Sequence, residues 1–174
     1  MRARSDRSDR DADFTAYLEG RQPALLRTAY LLTGDRHQAE DVLQTALAKL
    51  YLAWDRVRDE GAIDGYVRRI LVNETTSLWR RSWRRHEVAS PTLPETGVDA
   101  PYDDGTGAAL WELVQGLPGR ARAVLVLRYY EQLSERETAE TLGVSVGTVK
   151  SQTSRALAAL RERTPDHLDP REER

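Results

Sequence analysis

Small polar and basic side chains recur at helical spacing in the stretch "LGVSVGTVKSQTSRALAAL", residues 142–160. Short side chains let a helix enter the major groove of DNA, which is about 12 Å wide. Lysine and arginine there can donate hydrogen bonds to guanine O6 and N7 or to phosphates. The face with these properties carries Gly147, Lys150, Ser151, Ser154 and Arg155. We predict that it reads DNA in the major groove; the alternative is a solvated face on a helical hairpin.

A helix-turn-helix is the element that must position this face. Ser134 followed by Glu137 predicts a capping box that opens the helix "ERETAETL", residues 135–142. Gly143 permits the left-handed conformation that ends a helix, and Ser145 can cap the next one. The core-facing side of that second helix is predicted from the spacing of Val149, Thr153, Ala156 and Leu160. Helix, glycine turn and helix together predict a helix-turn-helix.

The phosphate-binding part of this prediction lies in the first turns of the second helix. Thr148 and Ser151 carry hydroxyl groups there, where the N-terminus of a helix already favours an anion. We therefore expect these two side chains to anchor the helix on the DNA backbone.

A second polar stripe lies on the predicted helix "YVRRILVNETTSLWRRSWRR", residues 66–85. One side of it carries Val67, Leu71, Glu74 and Leu78. The opposite side carries Arg69, Asn73, Thr76, Arg80 and Trp83. Basic, amide, hydroxyl and aromatic groups in one stripe suit melted DNA, where bases stack on rings and phosphates pair with guanidinium groups. The alternative is a solvated arginine-rich face, with Trp79 and Trp83 packed in the core.

An acidic cluster distinguishes a third stretch, "GDRHQAEDVLQTALAKLYLAW", where Glu40, Asp41 and Gln44 lie close together on a predicted helix. His37 and Asp41 are spaced to share a metal ion, but a metal site needs three or four ligands and no second histidine is near. We predict no metal here. The cluster is either a solvated face or a docking surface for a protein partner.

Helical periodicity runs through both halves of the 174-residue chain, and no period-two alternation predicts a strand. The first half has apolar residues at helical spacing in two series: Leu25, Leu26, Ala29 and Leu32, then Val42, Ala46, Leu47, Leu50 and Trp54. Breaks are predicted at Gly34 with Asp35 and at Gly61 near Asp64. The proline-rich, acidic segment 86–107 predicts a flexible linker. The fold class is therefore all-α, with helical domains at 14–85 and 108–163 and tails at 1–13 and 164–174, the first tail a disordered arm.

Composition excludes several classes of protein. The chain has no cysteine, which excludes disulfides, thiolate nucleophiles and cysteine zinc sites and fits a reducing cytoplasm. The apolar runs are too short to insert in a membrane. No phosphate-binding glycine loop and no nucleophile with a base is found, so we expect neither catalysis nor a cofactor. A DNA-binding protein remains, with a ligand-binding or dimeric helix-turn-helix repressor and a helical adaptor as the alternatives.

The three stretches and the linker, in this order, resemble the extracytoplasmic-function (group IV) sigma factors, in particular the SigE-like actinobacterial branch of the sigma-70 family. The resemblance implies a subunit that binds core RNA polymerase and directs it to promoters. Glu40, Asp41 and Gln44 would dock on the beta-prime coiled coil, and the second domain would rest on the beta flap. An anti-sigma factor is a further partner that the resemblance suggests.

The resemblance also assigns the two DNA elements. The loop from about Arg58 to Gly65 and the helix after it would hold open the minus-ten element, through Tyr66, Arg69, Asn73, Thr76 and Arg80. The minus-thirty-five element would be contacted by Thr148, Lys150, Ser151, Ser154 and Arg155.

Overall fold

The computed structural model describes residues 2–59, 62–86 and 106–163. The chain divides into two compact units, residues 1–89 and 90–174. Every regular element within the described residues is helical, which confirms the all-α prediction. The predicted linker, apart from its ends, and the carboxyl-terminal tail lie outside the described residues.

Three helices build the first unit: α1 (Arg2–Thr33), α2 (Arg36–Asp59) and α3 (Ile63–His86). Each helix packs against the other two. The core contains the predicted periodic residues, with Leu32, Leu50 and Leu71 fully buried and Trp54 only 2% exposed. Leu26 and Leu47, the remaining members of the two series, are half-buried at its edge.

The turn between α1 and α2 is made by Gly34, as the sequence predicts. Its φ of 78° is left-handed, and its N–H donates to the carbonyl of Tyr30 at 2.8 Å. Asp35 then caps α2, since its Oδ1 accepts from the Gln38 N–H at 2.8 Å. Gly61, the second predicted break, lies outside the described residues. The connection between α2 and α3 is shorter than the predicted loop, because Arg58 is still helical and α3 begins at Ile63.

Helix α1 corrects the prediction of a disordered arm over residues 1–13. The helix begins at Arg2, and its first half makes contacts with α2. Arg10 pairs with Asp55 at 3.6 Å and covers the ring of Tyr51 at 4.6 Å from the ring centroid. Asp13 accepts from Arg58 at 2.7 Å. Arg10 and Asp13 therefore have partners on α2 and are not simply solvated.

The second unit contains four helices: α4 (Thr106–Gln115), α5 (Gly119–Leu125), α6 (Glu135–Leu142) and α7 (Val146–Arg163). Helix α5 continues into one π-helical turn, Val126–Tyr130. Two small apolar clusters hold α5, α6 and α7 together. One is centred on Leu117, Leu125 and Ala156, and the other on Val124, Ala139 and Val149. Helix α7 contributes to both clusters, so its core side is fixed along much of its length.

Candidate nucleic-acid interfaces

The helix-turn-helix forms at the predicted residues. The Glu137 N–H donates to Ser134 Oγ at 3.1 Å, and the Ser134 N–H donates to Glu137 Oε2 at 2.8 Å, which completes the capping box. Gly143 adopts φ 66° and ψ 37°, the left-handed conformation that ends α6. Ser145 Oγ then accepts from the Thr148 N–H at 3.1 Å and caps α7. These local hydrogen bonds define the angle at which α7 leaves the turn.

Helix α7 has the two sides that its sequence predicts. Val149 is completely buried and Ala156 is 2% exposed, whereas Thr153 and Leu160 are half-buried at the edges of the core side. Thr148 is half-buried, and the other members of the predicted minus-thirty-five set are exposed: Lys150, Ser151, Ser154 and Arg155. The structure thus brings these five residues together on one accessible surface.

Several polar groups on this surface already have partners within the domain. Lys150 Nζ lies 3.6 Å from Glu135 Oε2 in the first turn of α6. The hydroxyl groups of Thr148 and Ser145 are 2.8 Å apart, and Ser151 Oγ donates to the carbonyl of Thr148 at 3.0 Å. Sequence reasoning missed the pair between Lys150 and Glu135, although both residues lie in predicted helices. A phosphate or base that binds Lys150 must compete with a carboxylate.

The predicted minus-ten stripe lies along one accessible side of α3. Arg69, Asn73 and Arg80 are exposed, and Tyr66 and Thr76 are half-buried. Val67 and Leu71 on the other side are completely buried. The structure does not describe the side chain of Trp83, and Trp79 is half-buried. The five predicted residues therefore form a continuous row along about four turns of the helix.

An open groove beside Tyr66 extends this row onto α2. Its volume is about 570 Å³, and it is lined by Lys49, Leu52, Ala53, Asp55, Arg56 and Tyr66. Leu52 is 82% exposed, and the Arg56 guanidinium lies over the Tyr66 ring at 5.7 Å from the centroid. Sequence reasoning missed this groove. The available signal was Leu52, a large apolar side chain outside the buried series of α2.

The acidic cluster lies near the start of α2. Asp41 and Gln44 are exposed, while Glu40 is half-buried and accepts from Arg36 Nε at 3.1 Å. Across residues 2–59, 62–86 and 106–163, no three histidine or acidic side chains are arranged to hold a metal ion. The cluster is an accessible carboxylate and amide surface that suits a protein partner.

Comparison with known proteins assigns both units. Residues 17–85 match the family Sigma-70 region 2, and residues 107–160 match Sigma-70, region 4. The RNA polymerase sigma-E factor of Streptomyces coelicolor is 44% identical over 151 residues, which cover 86% of this chain and 85% of the relative. The chain belongs to the sigma-70 family. We call the unit that contains residues 17–85 the region 2 domain and the unit that contains residues 107–160 the region 4 domain of this sigma factor.

Two further similarities define the branch of the family. The ECF RNA polymerase sigma factor SigE of Mycolicibacterium smegmatis is 32% identical, over 81% of this chain and 57% of the relative. The sigma factor RpoE of Bartonella quintana, solved in complex with the anti-sigma factor NepR, aligns with a TM-score of 0.73 and 26% identity, covering 86% of this chain and 95% of that one. The sigma factor is of the extracytoplasmic-function, SigE-like kind. None of the helices in its described part is long and apolar enough to cross a membrane.

Proposed function

We propose that this sigma factor binds core RNA polymerase in the cytoplasm and directs promoter-specific transcription initiation. The observation that carries the proposal is the accessible polar face of α7, held by a complete capping box and glycine turn, in a chain whose other domain exposes a basic and amide stripe. Two DNA-binding surfaces of different character suit a promoter with one double-stranded and one melted element. The mechanism is recognition without covalent chemistry.

Readout of the minus-thirty-five element uses α7. Arg155 is exposed on the row of small residues and can reach a base edge, while Thr148 and Ser151 lie in the first turns, where phosphates are favoured. Lys150 binds DNA when its ammonium group leaves the Glu135 carboxylate and contacts an oxygen atom of the DNA instead. Ser154 leaves room for the groove wall because its side chain is short.

Recognition of the minus-ten element uses the row on α3 and the groove beside it. Arg69 and Arg80 suit phosphates, and Asn73 suits a base edge. The groove at Tyr66 provides an aromatic ring and the apolar side chain of Leu52, against which an unpaired base can pack. Unpairing a base costs a few kcal/mol, which such contacts must offset. Melted DNA is thereby favoured over duplex.

Docking on polymerase uses the acidic cluster of α2. Glu40, Asp41 and Gln44 would contact the beta-prime coiled coil, and the region 4 domain would contact the beta flap. An anti-sigma factor would be the protein that blocks these surfaces. The complex of the Bartonella quintana sigma factor RpoE with the anti-sigma factor NepR supports this partner, because that sigma factor shares the fold of this chain.

The test mixes the purified chain with bacterial core RNA polymerase and maps transcription starts on a genomic fragment library. We expect co-elution and new, discrete start sites that share two sequence elements. If the polymerase surface opposite Asp41 is basic, Asp41→Lys should weaken association by about a hundredfold or more, because a like-charge contact at an interface costs several kcal/mol and each 1.4 kcal/mol is about a factor of ten. Glu19→Lys is the matched control, since Glu19 is exposed on α1 and lies outside the acidic cluster.

Failure of the chain to associate with core polymerase, together with tight duplex binding by a dimer, would instead establish a stand-alone repressor. Unchanged promoter output from Arg80→Glu would count against minus-ten recognition by α3 and favour an adaptor. Arg161→Glu, at the exposed end of α7, is the control for that charge reversal.

A further inference from the structure

Three side chains on α1 form a row that faces the connection between α2 and α3. Asp13, Tyr17 and Arg21 are spaced by four residues, so they lie one above another along one side of the helix. We call this row the α1 stripe. None of its members belongs to the predicted minus-ten, minus-thirty-five or polymerase-binding sets.

The stripe makes contact with both ends of the connection. Asp13 Oδ2 accepts from Arg58 Nη1 at 2.7 Å, one residue before α2 ends. Asp64, in the first turn of α3, accepts from the Tyr17 hydroxyl at 3.1 Å through Oδ1 and pairs with Arg21 Nη2 at 3.0 Å through Oδ2. One helix therefore holds the last turn of α2 and the first turn of α3.

The α1 stripe lies beside an aromatic cluster that α1 forms with α2. The Phe14 ring meets the rings of Tyr51 and Trp54 edge-on, with centroids 5.0 Å apart in each pair. Tyr17 packs on Trp54 at 5.4 Å. Burial, followed by the nearby Asp64 carboxylate, raises the pKa of Tyr17 to about 12. The hydroxyl therefore stays protonated at physiological pH and keeps its role as a donor to Asp64.

The connection between α2 and α3 is adjacent in sequence to the predicted minus-ten residues. Tyr66 follows Asp64 by two residues, and its N–H donates to the carbonyl of Ala62 at 2.9 Å. Arg56, two residues before Arg58, places its guanidinium over the Tyr66 ring. Arg56 and Tyr66 line the groove, and each lies two residues from a residue that the α1 stripe contacts, Arg58 or Asp64.

We propose that the α1 stripe is a positioning element for minus-ten recognition. Asp13, Tyr17 and Arg21 would set the spacing between Arg56 and Tyr66 through Arg58 and Asp64, and so determine which unpaired base the groove accepts. The inference rests on the proposed function of α3. It adds residues that touch no DNA themselves, and it gives the amino-terminal helix a part in promoter choice.

The contribution to global stability does not explain this arrangement. Arg21, Asp64, Arg58 and Asp13 all have side chains at least 40% exposed, and exposed ion pairs contribute little to folding free energy. All four side chains instead lie at the connection between α2 and α3. A positioning role therefore predicts a change in DNA preference that is larger than any change in stability.

The experiment uses the full chain in holoenzyme with core polymerase. The probe is a fluorescent single-stranded oligonucleotide that carries the non-template minus-ten sequence from the mapped promoters, with each base substituted in turn. We expect Arg21→Gln and Tyr17→Phe to weaken binding between about 2- and 30-fold, the range in which residues outside a site modulate it. We also expect them to relax the preference at the unpaired position. Arg21→Lys should restore most of the preference, because it keeps the charge beside Asp64.

Arg27→Gln is the matched control, since it makes the same charge change at an exposed position of α1 outside the stripe. It should bind the probe like the wild type. Co-elution with core polymerase and binding to a minus-thirty-five duplex should stay unchanged in all four variants, because those surfaces do not include the connection.

The outcomes separate this inference from the proposed function. Wild-type holoenzyme without any preference for the minus-ten strand overturns both. A wild-type preference that persists unchanged in Arg21→Gln and Tyr17→Phe overturns the stripe alone. Equal losses of minus-ten binding, minus-thirty-five binding and core association also overturn it, because they would show a general folding role.

Discussion

The two domains of this sigma factor fix their DNA-facing helices by opposite means. In the region 4 domain, the start of α7 is set by contacts close in sequence: the capping box of Ser134 and Glu137, Gly143, and the cap at Ser145. In the region 2 domain, α3 depends on contacts between residues 47 positions apart, such as Tyr17 with Asp64, around a large aromatic core. The start of the helix that reads duplex is thus locally defined, whereas the start of the helix that lines the surface for melted DNA is held by a distant segment. Substitutions in each domain can test that difference.

Replacing Trp54 by alanine should give the largest effect. The side chain is 2% exposed and contacts Phe14 and Tyr17, so its loss should lower the free energy of unfolding of the region 2 domain by about 3–5 kcal/mol. This free energy is measured by denaturant titration, with unfolding monitored by circular dichroism. Leu52→Ala, two residues away and 82% exposed, should change stability by less than about 0.5 kcal/mol. An equal shift in the unfolding of the region 4 domain would contradict an effect confined to the region 2 core.

Replacing Arg155 by alanine tests the duplex-reading face of α7. If Arg155 reads a base edge, binding to the minus-thirty-five duplex should weaken by about 1–3 kcal/mol, and sequence preference should relax at one position. Fluorescence anisotropy with a set of duplexes, each substituted at one base pair, measures this. An equal loss on every duplex would make Arg155 a phosphate contact. The minus-ten probe should bind the variant normally.

Replacing Gly143 by alanine tests how far local geometry defines α7. The residue has φ 66°, and a left-handed conformation costs a side-chain-bearing residue about 1–2 kcal/mol. No neighbouring atom lies within 4 Å of the added Cβ, so the expected cost is conformational and not steric. Thermal unfolding of the region 4 domain is the measurement. Gly147→Ala, on the adjacent helix with ordinary φ, should not be destabilising.

Replacing Glu135 by glutamine should give the smallest effect, with the opposite sign. The contact with Lys150 is exposed, and pairs of this kind contribute about 0.2–1 kcal/mol. Releasing Lys150 should tighten minus-thirty-five binding by up to about that amount, most clearly at low salt. Glu140→Gln is the control on the same helix, because Glu140 pairs with Arg136 within α6. Weaker binding by Glu135→Gln would mean that the carboxylate orients Lys150 productively.

The sequence was sufficient for the helix-turn-helix of the region 4 domain because its signals are local. Ser134, Glu137 and Gly143 each specify a hydrogen bond or a backbone conformation within a few residues, and α6 occupies the predicted residues 135–142. The accessible face of α7 follows from helical periodicity alone. The pair between Lys150 and Glu135 could not be predicted, since periodicity does not give the distance between two helices.

The part of α1 before residue 14 was missed because its partners are far away in sequence. Alternating charges before Phe14 are typical of a solvated arm, and Pro23 removes one helical hydrogen bond, which usually argues against a continuous helix. Only the packed fold shows that Arg10 and Asp13 meet Asp55 and Arg58. The groove beside Tyr66 was missed for the same reason, because it exists only where α2 and α3 come together.

The spacing of these contacts also has a consequence for synthesis of the chain. The partners Asp13 and Arg58 are 45 residues apart, and Tyr17 and Asp64 are 47 apart. Ribosomes add about 5–20 residues per second, so roughly 2–9 seconds pass between the addition of Asp13 and the addition of Arg58. An isolated helix is marginally stable in water during that interval. We therefore expect a nascent chain that ends before Arg58 to be exposed to proteases over α1, and a chain that extends past α3 to be protected there.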